Sequence, residues 1–195
     1  MQQRLLVLGS TSTPRYALLQ RLQIPFKVAA PNIDETPLPN ETPQNLVQRL
    51  ALEKAQAVAK QYPDALIIGA DQVGVLDGVI QGKPLTYENA KIQLQNASGK
   101  TIKFYIGLCL YDSKKHEHQI AMEEFDVIYR ILNMNMIEGY LKKEQPLQCA
   151  GSCKAEGLGI ALIKEFRGTD FSALIGLPLI RLVEMLEQAG ISLFS

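Results

Sequence analysis

The chain has no tryptophan, two histidines, three cysteines, no net charge and no long apolar run, and each shortage removes a class of protein. Twenty basic residues balance twenty acidic ones. The whole-chain field therefore favours neither nucleic acid nor an anionic membrane, and any anion site has to be built locally. The longest apolar stretches, such as LLVLG and ALIIGA, fall far short of the ~18 residues that a membrane span needs. The N-terminus lacks a basic segment followed by a longer apolar one. A soluble, cytoplasmic protein is expected. Cys109, Cys149 and Cys153 are odd in number, and two of them lie four apart with no histidine nearby. That spacing fits reduced thiols better than a zinc site or a disulfide framework. His116 and His118, in SKKHEHQ, read as part of a solvated hairpin loop rather than as a metal pair.

What is present is the material for one α/β domain spanning residues 1–195. With 47% hydrophobic residues, a chain of this length buries roughly 70% of its unfolded surface without staples. No repeat or low-complexity linker interrupts it. RLLVLGS reads as a strand, PRYALLQRLQ as a helix and PFKVAAP as a second strand. The Pro-rich PNIDETPLPNETP is a long loop ending at a helix start, where Thr42 suits the N-cap and Pro43 the first helical position. That helix is expected to run to about Gln61. Strand ALIIGA, a hairpin through Asp77-Gly78 and a helix from about Thr86 to Ala97 follow. TIKFYIGLCLYD and HQIAMEEFDVIYRIL read as long antiparallel strands, and NMIEGYLKKEQ as a helix. The end is read as strand LGIALIKEF, loop RGTDFSALIG and a helix from about Pro178 to Gln188. These elements predict a mixed sheet covered by helices.

Three stretches carry candidate chemistry. In GSTSTPRYALL, four hydroxyls and an arginine fall where a strand hands over to a helix. A plain N-cap by Ser12 or Thr13, with Pro14 in the first turn, explains one hydroxyl. It does not explain Ser10, Thr11 and Arg15, which together with free backbone N–H groups suit a phosphate. In the helix TPQNLVQRLALEKAQAVAKQ, at 100° per residue, Val47, Leu50, Ala51 and Val58 form an apolar stripe with Lys54 in its middle, while Arg49 points away. Lys54 either snorkels to solvent or flanks an anion site. In LIIGADQVGVLDGVIQGKP, Asp71 ends an apolar strand, where an unpaired carboxylate is costly. An Asp77-Gly78 turn pairs Leu76 with Val79 and, extrapolated, Gln72 with Lys83, which delivers a lysine beside Asp71. A cross-strand ion pair and a catalytic carboxylate at the C-terminal end of a strand are both consistent with that placement. Asp34 and Glu35 are loop carboxylates suited to a hard cation or simply to water. In CAGSCKAEGLG, small residues surround Ser152, Lys154 and Glu156, as in a tight turn or close to a ligand.

Taken in order, these segments resemble the Maf family of nucleoside triphosphate pyrophosphatases from about Leu5 to Gly190. The family's S-x-S-x-x-R loop corresponds to Ser10, Ser12 and Arg15, and its acidic loop to Asp34-Glu35. RLALEKA with Lys54, GADQV with Asp71 and GKP with Lys83 complete the set. DQV, LDG and CAGSCKAEG are similar to the branch acting on 7-methyl-GTP. The resemblance implies an elongated mixed β-sheet flanked by helices, two lobes with a cleft between them, and a homodimer. It implies hydrolysis between the α and β phosphates with a divalent cation (Mg²⁺, Mn²⁺ or Co²⁺) held by Glu35 and Asp71. Phosphate contacts fall to Ser10, Ser12, Arg15, Lys54 and Lys83, and base choice to Pro14, Gln72 and Glu156. Asp71 accepts the water's proton or ligates the metal that acidifies the water, and the sequence leaves both roles open. Pro14 departs from the bulky aromatic often found in this branch, and Cys153 replaces a commonly aromatic position. A dTTP or UTP pyrophosphatase, and a non-catalytic nucleotide sensor regulating division, are the competing readings.

Overall fold

The computed structural model describes residues 4–194, and the chain divides into two compact units. The first comprises Met1–Gln72, Ile106–Glu123 and Asp170–Ser195, and the second Val73–Tyr105 and Glu124–Thr169. Three long strands contribute residues to both: β3 (Ala65–Leu76), β5 (Thr101–Asp112) and β6 (Glu117–Tyr129). With β1 (Leu5–Leu8), β2 (Lys27–Val28), β4 (Val79–Gln81) and β7 (Ile163–Arg167) they form a seven-stranded sheet among the described residues, in the order β2-β1-β3-β5-β6-β7, with β4 on β3. β1 runs parallel to β2 and β3, and β4 and β7 run antiparallel to their partners. The sheet is therefore mixed, as expected.

In the first unit, strand alternation sorts side chains onto two faces. Leu6, Leu8, Leu66, Ile68, Ala70, Leu108 and Leu110 pack with α1 (Thr13–Gln20) and α6 (Leu179–Gln188). Val7, Ala65, Ile67, Cys109 and Tyr111 pack with α2 (Pro43–Ala59). The Thr42 hydroxyl caps α2 by accepting from Asn45 N at 3.2 Å. Gly69 and Gly107 let α2 lie directly on the sheet: a Cβ at Gly69 would fall 2.0 Å from Ala51 O, and one at Gly107 2.1 Å from Val47 O. Asp71 shares the face of Gly69, and Lys54 follows Ala51 by three residues, about one helical turn. The close packing at Gly69 thus fixes the height at which lysine and carboxylate meet.

In the second unit, α3 (Tyr87–Ala97), capped by Thr86, packs on α4 (Met134–Glu144), capped by Asn133. Three sequence expectations need correction. The hairpin pairs Leu76 with Val79 as expected, but its ladder ends at Gly74 opposite Gln81, so the pairing of Gln72 with Lys83 does not form. Gly82 O instead accepts from the Gln93 side chain at 3.0 Å, and Pro84 O from that of Asn89 at 3.0 Å, while Pro84 has no N–H with which to extend a ladder. Leu158–Leu162 is a 3-10 turn rather than the start of a strand. There the Lys154 carbonyl accepts from both Gly157 N and Gly159 N, and Glu144 takes Leu158 N at 2.8 Å, so the ladder begins at Ile163. The stretch read as a closing loop contains a short helix, α5 (Phe171–Ile175), capped by Asp170. The three cysteines are free thiols. No helix among the described residues is long and apolar enough to cross a membrane.

Candidate active site

The first unit gathers most of the residues singled out in the sequence. Lys54 is buried, 4% exposed, and does not snorkel. Its ammonium donates to Asp71 Oδ1 at 2.6 Å and pairs with Glu35 Oε1 at 2.9 Å. Asp71 is 6% exposed, whereas the Glu35 side chain keeps 57% of its surface in solvent. The lysine therefore bridges a buried carboxylate and an exposed one.

Ser10 is buried, and its hydroxyl oxygen accepts from Ser12 N at 3.2 Å and from Arg15 Nη1 at 3.4 Å. Arg15 Nε donates to the Gly176 carbonyl at 2.8 Å. Ser12 occupies the N-cap position of α1, yet its side chain makes no cap bond. The plain-cap explanation therefore fails for its hydroxyl. Pro14 sits exposed in the first turn of α1.

The electrostatics of this cluster follow from burial. Desolvation pushes the Asp71 carboxyl above its ordinary range; Lys54 and then Arg15 oppose that rise, and Glu35 adds to it. Burial likewise lowers the affinity of the Arg15 guanidinium for its proton, against the pull of Asp71 and Glu35. Burying charge without full compensation shifts proton affinity in this direction. A carboxylate with raised proton affinity beside two cations combines a proton acceptor with charge that can neutralise an anion.

Glu35 and Asp71 also suit a divalent cation. Both reach the Lys54 ammonium within 2.9 Å, so two hard oxygen donors converge on one locality. Mg²⁺ is commonly held by one or two carboxylates together with substrate phosphates. Among the described residues no group of three or more His, Cys, Asp or Glu is placed to hold a metal, so a cation held by these two carboxylates would take its other donors from substrate and water. Asp34 belongs to the loop itself: its Oδ1 accepts from Thr36 N at 2.9 Å and from the Thr36 hydroxyl.

Gln72 follows Asp71 on β3 and so points to the other face, where its Nε2 donates to Leu174 O at 2.7 Å. Lys83 and Glu156 belong to the second unit, and both are exposed. Two groups that organise the cluster escaped the sequence reading, the Gly176 and Leu174 carbonyls. A glycine inside IGLP was the visible signal, and it marks a backbone conformation at φ 123° that side chains rarely adopt.

Asp71 lies midway along β3, which runs on to Leu76, rather than at the end of a strand as the sequence suggested. Fold and cluster define an α/β protein with a buried lysine–carboxylate pair on a central strand, beside a hydroxyl-rich strand-to-helix junction. The chain belongs to the Maf-like protein family, whose model matches residues 5–189. A 7-methyl-GTP pyrophosphatase from Colwellia psychrerythraea is 53% identical over 190 residues, covering 97% of this chain and 95% of that one. A second protein of that name, from Nitrosococcus oceani, is 55% identical over 185 residues, covering 95% and 93%. Among solved structures, a HAM1 protein from Coxiella burnetii overlays on 65% of this chain and 73% of its own, with a TM-score of 0.49 at 19% identity.

Proposed function

We propose that this chain hydrolyses 7-methyl-GTP between its α and β phosphates, releasing 7-methyl-GMP and pyrophosphate, with Asp71 as proton acceptor. It is a hydrolase in this reading, in keeping with the pyrophosphatase name of two relatives more than half identical over nearly the whole chain. The observation that carries the mechanism is the buried Asp71 at 2.6 Å from Lys54, with its proton affinity raised by burial. A base of raised affinity is better matched to taking a proton from water near neutral pH than an ordinary carboxylate.

A water oxygen attacks the α phosphorus, the bond from that phosphorus to the α–β bridging oxygen breaks, and the electron pair leaves with pyrophosphate. The water's proton passes to Asp71. Arg15 and Lys54 neutralise charge on the triphosphate, and Ser10 and Ser12 with the N–H groups opening α1 contact its oxygens. A divalent cation held by Glu35 and Asp71, when bound, supplies Lewis-acid polarisation at phosphorus. Phosphate contact by Lys83 and base choice by Pro14, Gln72 and Glu156 rest on the family resemblance. A carboxylate such as Glu156 suits the N1–H and amino edge of guanine, and methylation at N7 adds positive charge that it also favours.

The test is pyrophosphate release from 7-methyl-GTP, GTP, dTTP, UTP and ATP with Mg²⁺ or Mn²⁺ present. The expected result is a lead for 7-methyl-GTP of at least about tenfold in kcat/KM, about 1.4 kcal/mol of transition-state preference. A leading pyrimidine nucleotide overturns the base assignment and leaves the phosphate chemistry standing. Saturable binding without pyrophosphate release overturns the catalytic reading in favour of a nucleotide sensor.

A further inference from the structure

Two side chains of the cluster are held from a distant stretch of chain. Arg15 Nε donates to Gly176 O at 2.8 Å, and Gln72 Nε2 donates to Leu174 O at 2.7 Å. Leu174 lies in the last turn of α5 and Gly176 just beyond it, in a segment that two buried polar side chains organise. Asp170 is 8% exposed and Ser172 6%. Asp170 Oδ1 accepts from Ser172 N at 2.8 Å and from the Ser172 hydroxyl, and its Oδ2 accepts from Ile180 N at 3.0 Å. The Ser172 hydroxyl oxygen in turn accepts from Leu179 N at 2.9 Å. One carboxylate is thereby tied to the first turns of both helices.

The loop between them is bonded inward. Gly176 N donates to Ala173 O at 2.9 Å and Ser172 O at 3.2 Å, and Leu177 N donates to Ser172 O at 3.2 Å. Gly176 takes φ 123°, and a Cβ there would lie 3.3 Å from Gln72 Oε1 and 3.4 Å from Arg15 Nε. These bonds leave the Leu174 and Gly176 carbonyls to the two side chains. An arginine has several freely rotating bonds, and a fixed acceptor at its Nε selects one orientation of the guanidinium fork.

We propose that Asp170 is a positioning residue for the pyrophosphatase reaction, fixing the loop whose Gly176 carbonyl aims Arg15 at the substrate's phosphates. The proposal rests on the reading of Arg15 as a phosphate ligand. A purely structural Asp170 would affect activity whether or not Arg15 is present, whereas a positioning residue has nothing left to position once Arg15 is gone.

The experiment is a double-mutant cycle on kcat/KM for the leading nucleotide, with Asp170→Asn, Arg15→Ala and the double variant, and with thermal melting in parallel. Asparagine keeps the size of the side chain and loses one acceptor. Asp170→Asn is expected to lower kcat/KM about tenfold in the wild-type background and less than about twofold beside Arg15→Ala. Equal losses in both backgrounds overturn the proposal and leave the phosphate reading intact. An Arg15→Ala variant with unchanged kcat/KM overturns the phosphate reading, and this inference with it. If Asp170→Asn does not fold, Ser172→Ala takes its place in the same cycle, because it keeps the carboxylate and removes the hydroxyl that links Asp170 Oδ1 to Leu179 N; additive losses again overturn the proposal.

Discussion

Two of the ion pairs made by helix α2, on different faces, each close at 2.6 Å, Arg49 with Glu41 and Lys54 with Asp71. Their carboxylates respond in opposite directions. Glu41 takes both arms of the Arg49 fork, at 2.6 and 2.7 Å, and also accepts from Leu38 N at 3.0 Å. Hydrogen bonding from Arg49 holds its carboxyl down at about 2. Asp71 has a lysine at the same distance, yet burial outweighs that lysine and pushes the carboxyl up. Contact distance therefore does not identify a structural pair or a functional one. Both side chains are largely out of water, Glu41 at 7% and Asp71 at 9% exposure, so the difference lies in compensation: Glu41 takes three N–H donors, whereas Asp71 accepts from the Lys54 ammonium on Oδ1. Arg49 also donates to Thr36 O at 3.2 Å, so the first pair anchors the loop that carries Glu35.

The largest effect in breaking this comparison is expected from Lys54→Met. It strands the buried Asp71, and unfolding free energy by denaturant titration at pH 8 should fall by about 3–5 kcal/mol. The loss should shrink as pH falls and the raised Asp71 carboxyl takes up a proton. Next is Gly69→Ala, which touches neither charge but sets a methyl against Ala51 O. A loss of about 1–3 kcal/mol is expected, with weaker pyrophosphatase activity as α2 lifts. Arg49→Met at the part-buried, bidentate pair should cost about 1–2 kcal/mol.

The pH dependence sharpens the contrast further, because the two signs differ. The folded carboxyl of Glu41 lies below its ordinary 4.5, so its stabilisation is present above that value and lost as pH falls toward 2. The stability gap between wild type and Arg49→Met should close over that window. The folded carboxyl of Asp71 lies above its ordinary 3.8, so its contribution is full below that value and lost as pH rises through the folded one. Asp71→Asn should therefore gain stability relative to wild type as pH rises from about 4. Melting curves of the three proteins across pH 3 to 8 check both trends.

Wherever a short-range period or a cap decided the geometry, the sequence was informative. The 100° period put Lys54 on the buried face of α2, Thr42 and Pro43 marked its start, and Asp77-Gly78 set the register of Leu76 with Val79. Extrapolating that register four residues further failed at Lys83, because Gly82 and Pro84 bond to side chains of α3 instead of continuing the ladder. The start of β7 was misplaced because the bonds curling Leu158–Leu162 come from Lys154 and Glu144, outside the apolar pattern. Arg15 was legible as a candidate, but its anchor was not. Gly176 lies 161 residues along the chain, and although the glycine itself was visible, nothing in the sequence ties its carbonyl to Arg15. The family likeness, spread over Ser10, Arg15, Lys54, Asp71 and Lys83, supplied what local pattern did not.

The central claim is that Asp71 takes the proton from the attacking water. The most direct test compares pyrophosphate release from 7-methyl-GTP by the wild type and by folded Asp71→Asn, across pH and at saturating Mg²⁺. A loss of about 10²-fold or more in kcat is predicted, together with disappearance of an acid limb lying above the ordinary carboxylate range. Near-normal turnover with the limb unchanged would remove Asp71 from the mechanism.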